Sequence, residues 1–363
     1  MSKAWLKWTP AVVAVIAVAG VAIAVPISAN ATSTLPVKTP AQVLELVGGS
    51  RVTAFSGTIS ESSELGLPSL PSGISAAGGS GSGNSDSSLA SLLTLVTGTN
   101  SLRVYADGPS KVRLQVLDSL AEKDVIRHGS GLWYYDSSAN SVTHTNLPAN
   151  KQKSTPAPLE VSPDVLAKKL LAALEPSSTV SVGQDLNVAG RSAYELILTP
   201  KSTDTLVGSI SIAVDSATGL PLGVDVLAAG QKTPAVSVAF TSLSLEAPPA
   251  SLFDFTAPAG AKVTEAKTDK ASTPVTPKGS KGSKAAKPTE TVTGSGWDSI
   301  VTLSKTGSLA ELTGNPEFAE LTTAVSGGRV FHTTLFNILI ENDGRVVAGA
   351  VSIAQLQAAA IAP

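Results

Sequence analysis

The chain has 363 residues, 15% of them charged and nearly balanced to a net charge of −2, with 4% aromatics and no cysteine. The missing cysteine excludes disulfides, thiolate metal sites, cysteine nucleophiles and a lipidated cysteine anchor, so an exported fold must rest on core packing alone. The charge balance argues against nucleic acid as a partner, because that partner needs a basic surface.

Lys3 and Lys7 precede an apolar run from Ala11 to Ile27, and Ala29-Asn30-Ala31 supplies small residues at the spacing a signal peptidase accepts. Residues 1–31 therefore read as a signal peptide, which makes the protein exported and extracytoplasmic. It is either secreted or held at the outer face of the cytoplasmic membrane by an uncleaved leader. The second option stays open because the run is marginally long enough to cross a ~30 Å hydrocarbon core, with Pro26 near its end. The residues that remain, about 330, suit one large or two modest domains.

Thr39-Pro40-Ala41-Gln42 carries the marks of a helix start, with Thr39 as cap, Pro40 at the first position and Gln42 completing a capping box. That helix should end at Gly48-Gly49. From Val52 to Ser60 the pattern alternates as in a strand, with Phe55, Gly57 and Ile59 on one face and Ala54, Ser56 and Thr58 on the other. Residues 66–100 hold a Gly/Ser insertion that lacks the apolar surface to order itself. Within it Leu89, Leu92, Leu93 and Val96 form a short amphipathic stretch, read either as a lid over a cavity or as a loop docked on the surface.

Alternating runs then follow at Leu102–Ala106, Lys111–Leu117, Asp124–His128, Leu132–Asp136 and Val142–Leu147, a spacing that predicts an antiparallel meander. Ser162-Pro163-Asp164 opens a second helix, VLAKKLLAAL, closed by Pro176. More strands are expected at Thr179–Val182, Ser192–Pro200, Val207–Asp215, Leu222–Ala228 and Ala235–Leu245. A curved sheet of about ten strands with two helices is the natural solution.

Residues 261–293 are rich in Lys, Pro, Ser and Thr and read as a solvated linker. Residues 294–363 regain pattern as a small C-terminal module: Trp297–Leu303 as a strand or helix start, a short helix from Pro316 to Leu321, and a strand from Phe331 to Glu341. Asn342-Asp343-Gly344 then marks a hairpin turn, Val346–Val351 the return strand, and Ser352 caps a last helix.

No motif for chemistry emerges. His128, His144 and His332 fall in strand-like segments without the converging ligands that zinc or iron needs, although His144 and Asp136 face each other across an expected hairpin. Neither a G-x-S-x-G elbow nor an H-E-x-x-H helix occurs. The chain is thus expected to be no enzyme, with no cofactor and no metal. Its one aromatic cluster is Trp133-Tyr134-Tyr135, where alternation sets Trp133 and Tyr135 on one face and Tyr134 on the other. Trp133 and Tyr135 serve equally well as a core plug or as cavity lining. The same two options hold for Phe55, Leu102, Val104, Val112 and Leu114.

The order FSGTIS, DGPSKVR, GLWYYDSSANSV, IAVDSATGLPLGVDV and FDFTAPAGAKV resembles the LolA-like lipoprotein carriers, including the MucB/RseB N-terminal domain and LppX-type lipid carriers. The resemblance runs over about residues 39–266. It implies an α+β, mainly β fold: a curved antiparallel sheet forming an unclosed half-barrel wrapped around two helices, here over residues 39–260, joined to the small C-terminal α/β module. It also implies a hydrophobic cavity for lipid or lipoprotein acyl chains, faced by Trp133 and Tyr135 together with Phe55, Leu102, Val104, Val112, Leu114, Leu170 and Leu174. The resemblance to RseB gives a second expectation, an envelope sensor whose C-terminal part binds a membrane protein such as an anti-sigma factor.

Overall fold

The computed structural model describes residues 35–66, 98–117, 122–147, 163–266, 290–304 and 321–361. The leader, nearly all of the Gly/Ser insertion with Leu89, Leu92, Leu93 and Val96, most of the linker, and the helix expected from Pro316 lie outside the described residues.

Helix α1 (Pro40–Gly49) starts as its sequence predicts. The Thr39 hydroxyl accepts from the Gln42 amide, and the Gln42 side chain accepts from the Thr39 amide at 2.8 Å. After it the chain lays down β1 (Ala54–Ser63), β2 (Gly98–Asp107), β3 (Lys111–Leu117), β4 (Glu122–His128), β5 (Gly131–Asp136) and β6 (Ser141–Asn146). Helix α2 (Pro163–Leu174) intervenes before β7 (Ser178–Val188), β8 (Arg191–Pro200), β9 (Val207–Asp215), β10 (Pro221–Ala228), β11 (Pro234–Ser244) and β12 (Lys262–Glu265). These twelve strands make one sheet in the order β12-β6-β5-β4-β3-β2-β1-β11-β10-β9-β8-β7. The outermost strands do not pair with each other, so this curved sheet is an unclosed half-barrel.

A meander explains most of the order, since neighbours in sequence are neighbours in the sheet. The order departs from it where β7 starts at the edge far from β6, where β12 crosses back to pair in parallel with β6, and at β1, which seats β2 on one side and β11 on the other. β1 is therefore the seam between the two halves. Near the Asp215–Leu220 turn, Gly219 has φ +71° and packs against the Leu46 carbonyl of α1, where a Cβ would sit 2.1 Å from the oxygen. Only glycine fits both demands.

Six further strands form a second sheet: β13 (Glu290–Thr293), β14 (Ile300–Leu303), β15 (Thr323–Val325), β16 (Gly328–His332), β17 (Asn337–Glu341) and β18 (Val346–Gly349), ordered β13-β14-β18-β17-β16-β15. Helix α3 (Ile353–Ile361) closes it, capped by Ser352 through a box with Gln355. The run Phe331–Glu341, expected as one strand, is two. The Thr333 hydroxyl accepts the Leu335 and Phe336 amides and so turns the chain between β16 and β17. Threonine hydroxyls compete with the ladder for backbone donors in this way.

This second sheet is docked rather than tethered at a distance. Leu206 donates its amide to the Ala350 carbonyl, Thr205 bridges to Val351, the Thr334 amide reaches the Leu65 carbonyl, and Trp297 Nε1 donates to Ser178 Oγ at 3.0 Å. Trp297, Leu335, Phe336 and Ala350 belong to the same buried core as the large sheet. Leu65, Ser178, Thr205 and Leu206 all lie at one end of the half-barrel strands, so the small sheet caps that end.

Candidate functional site

Strand register decides which side chains share a face, because residues paired across neighbouring strands point to the same side. One row runs Val182, Leu196, Ile212, Val224, Val238 and Glu61 from β7 to β1. The next runs Val180, Leu198, Ile210, Val226, Val236 and Ser63. Across the seam the same face continues as Phe240, Ile59, Leu102 and Val116, then Gly57, Val104, Leu114, Val125 and Tyr134, then Phe55, Ala106, Val112, Arg127 and Leu132. The result is an aliphatic face spanning ten strands. Most of its members on β8 to β11 and β1 to β3 are buried, with Val104 1% and Leu102 3% exposed, whereas Val180, Val182, Val125 and Leu132 towards the edges are half-buried, and α2 packs on β10 and β11.

The register puts Phe55, Leu102, Val104, Val112 and Leu114 together on this face. Trp133 and Tyr135 do not. Trp133 pairs with Ile126, which pairs with Arg113 and then Tyr105, while Tyr135 pairs with Asp124, Gln115 and then Arg103. Both aromatics therefore point to the opposite face, and Tyr134 takes their place on the aliphatic one at 40% exposed. The correction is physical: alternation within β5 was legible, but only its pairing with β4 says which parity meets Val104. Helix α2 carries Leu170 and Leu174, and the packing of those two side chains lies outside what the structure describes.

On the opposite face Trp133 stacks on His144 with ring centroids 4.6 Å apart, and His144 Nδ1 meets Glu265 of β12 at 2.9 Å. The parallel pairing of β12 with β6 makes Glu265, rather than Asp136 across the hairpin, the carboxylate that His144 meets. Tyr135 lies 6.0 Å from Phe255, and Arg113 donates to the Leu252 carbonyl while ion-pairing with buried Asp124. These contacts anchor the segment after β11 across that face. Among the described residues no group of three or more potential metal ligands converges.

Two titrating groups stand out by environment. Burial pushes Glu61 up to about 10, so at neutral pH it is an uncharged carboxyl, and neither of its oxygens has a hydrogen-bond partner. Asp225, on the opposite face between Ser211 and Ser237, is raised to about 6, again by burial. Glu61 escaped the sequence reading although its signal was present: the alternation Phe55, Gly57, Ile59 continues to position 61, one residue beyond the expected strand end. A cavity of about 390 Å³ lined by Ala324, Val325, Arg329, Ile340, Glu341 and Asn342 belongs to the small sheet, not to this face. What the β7 to β1 part of this face offers chemically is apolar contact ended by the neutral Glu61 carboxyl and the Ser63 hydroxyl, while Arg127 and Tyr134 stand on its far part on β4 and β5.

The model of the MucB/RseB N-terminal domain matches residues 96–269. No curated protein matches the chain. Similar solved structures include the MucA/MucB complex of Pseudomonas aeruginosa, at 17% identity over 89% of this chain and 97% of that one, with a TM-score of 0.45. An uncharacterized conserved protein of Thermus thermophilus is 11% identical over 62% of this chain and 98% of that one, with a TM-score of 0.34. A LolA superfamily protein of Nitrosomonas europaea is 10% identical over 60% and 99%, with a TM-score of 0.25. Superpositions this loose say nothing of what the present chain binds. Over residues 96–269 the chain is thus similar to the MucB/RseB N-terminal domain.

Proposed function

We propose that the protein is an envelope-associated carrier that holds the acyl chains of a lipid or lipoprotein against the aliphatic face of the half-barrel, without chemistry of its own. The observation that carries this reading is the unbroken register of Val, Leu and Ile across β7 to β11, continued by Leu102, Val104 and Leu114 beyond the seam. Each CH₂ removed from water contributes roughly 0.8 kcal/mol, so a sixteen-carbon chain offers on the order of 10 kcal/mol before the cost of immobilising it. Because the rows on β8 to β11 and Leu102 and Val104 are buried, loading requires the elements over them to part. Native mass spectrometry of the protein purified from its own envelope tests the reading. Adducts of acyl-lipid mass are expected, and a bare polypeptide mass in every preparation overturns it.

A second reading, a sensor that binds a membrane regulator such as an anti-sigma factor through its C-terminal part, is favoured by the docking of the small sheet into the core of the large one. The Trp297–Ser178 hydrogen bond and the shared core give a change at the half-barrel end a physical connection to the small sheet. Among similar structures, MucB is seen with MucA. Co-purification with an envelope membrane protein, lost on removing residues 294–363, separates the two readings.

A further inference from the structure

The aliphatic face contains an unsatisfied polar step. Glu61 ends the row Val182, Leu196, Ile212, Val224, Val238, and it is 1% exposed. Ser63, two residues on and therefore on the same face, ends the next row beside Val236. Both Glu61 oxygens and Ser63 Oγ are buried without a hydrogen-bond partner. Native proteins rarely leave even one such group unpaired, because each loses its water and gains nothing in return. Two neighbours in that state, each ending a row of Val, Leu and Ile side chains, mark a place where a partner is missing.

The chemistry of the partner follows from the donors. Burial keeps the Glu61 carboxyl protonated, so it presents an O–H and a carbonyl oxygen, and Ser63 presents a second O–H. Two donors side by side suit acceptor oxygens. A charged head group would also have to shed its own hydration among aliphatic side chains, which disfavours it. We propose that Glu61 and Ser63 anchor the uncharged, ester-bearing junction of a diacylglycerol-type lipid, with the acyl chains lying along the aliphatic rows. The assignment rests on the carrier reading and deepens it by naming where the polar end of the cargo sits.

The test uses the full, delipidated chain and displacement of a pyrenyl-alkane reporter by two competitors delivered from cyclodextrin. These are 1,2-dioleoylglycerol and squalene, a hydrocarbon without polar atoms. With Glu61→Leu/Ser63→Ala, the affinity for dioleoylglycerol is expected to fall about tenfold, equivalent to about 1.4 kcal/mol, while that for squalene stays within about twofold. Glu61→Gln keeps an N–H donor and is expected to hold dioleoylglycerol within about threefold of wild type. If the double variant binds both competitors as wild type does, the anchor is wrong and the carrier reading stands. If wild type binds neither, the carrier reading itself fails. Should stearylamine bind wild type far more tightly than dioleoylglycerol does, and lose that advantage in Glu61→Gln, the uncharged-ligand assignment is overturned. Thermal unfolding guards against misfolding: removing an unpartnered carboxyl is expected to leave the melting temperature unchanged or higher.

Discussion

Replacing Glu61 by Gln should change how stability depends on pH, and the size of the change follows from the carboxyl's surroundings. In the folded protein burial holds the group neutral up to about pH 10, whereas in the unfolded chain it ionises with its ordinary value of 4.5. Between those limits unfolding releases one proton, so the folded state is favoured most below pH 4.5 and loses stability as pH rises toward 10. The slope is about 1.4 kcal/mol per pH unit, or about 3 kcal/mol between pH 6 and pH 8. Glutamine has nearly the same shape and no such proton, and all other titrating groups are common to both proteins. Urea unfolding of the delipidated proteins, followed by circular dichroism at pH 6, 7 and 8, should therefore show Glu61→Gln gaining on wild type at each step. Parallel stabilities over that range would mean that Glu61 is hydrated or ionically paired, and the buried-carboxyl reasoning would be refuted.

Other perturbations address separate parts of the molecule. Asp215 accepts two 2.9 Å bonds from Arg191 and one from the Thr218 amide. Although burial pushes its carboxyl up, the bonds from Arg191 and Thr218 and the Arg191 charge outweigh this and hold it below the usual range. Asp215→Asn should cost about 2–4 kcal/mol at pH 7, a difference that shrinks as pH falls through the folded carboxyl's titration, measured by urea unfolding at pH 7 and pH 3. Trp297→Ala removes a buried ring and its bond to Ser178; a loss of roughly 3–5 kcal/mol is expected. Hydrogen exchange should then quicken first at the Leu206 and Thr334 amides, which bond across the junction between the sheets. Trp133→Ala and Tyr135→Ala, both on the opposite face, should leave acyl-lipid affinity within about twofold, whereas Val224→Asp in the middle of the aliphatic row should abolish it.

Much of the fold was legible because local rules and tertiary context agree here. The capping box at Thr39 and Gln42, the strands Lys111–Leu117 and Val207–Asp215, and the turn at Gly344 stand where propensity and alternation place them. What local pattern does not contain is pairing. Alternation gives Trp133 and Tyr135 a common side, but which side depends on the register of β5 against β4 and β3. That register was not legible in the sequence, so the two aromatics were expected to line a cavity, whereas the pairing sets them on the face opposite Val104. The same limit explains His144, whose partner Glu265 is 121 residues away on a strand too short to announce itself. Glu61 was hidden for a different reason. A carboxylate in a serine-rich run reads as a strand's wet end until the register shows it beside Val238.

On the proposed carrier function, acyl chains lie on the face carrying Val104, Leu196 and Val224. Photocross-linking with a fatty acid bearing a diazirine along its chain, followed by peptide mapping of the labelled sites, tests this most directly. Labels are expected on β1, β2, β3 and β8 to β11 at positions of that parity, such as Leu102, Val104, Leu114, Leu198 and Val238. Labels confined to Trp133, Tyr135 and their neighbours on the opposite face, or to the small sheet, would contradict it.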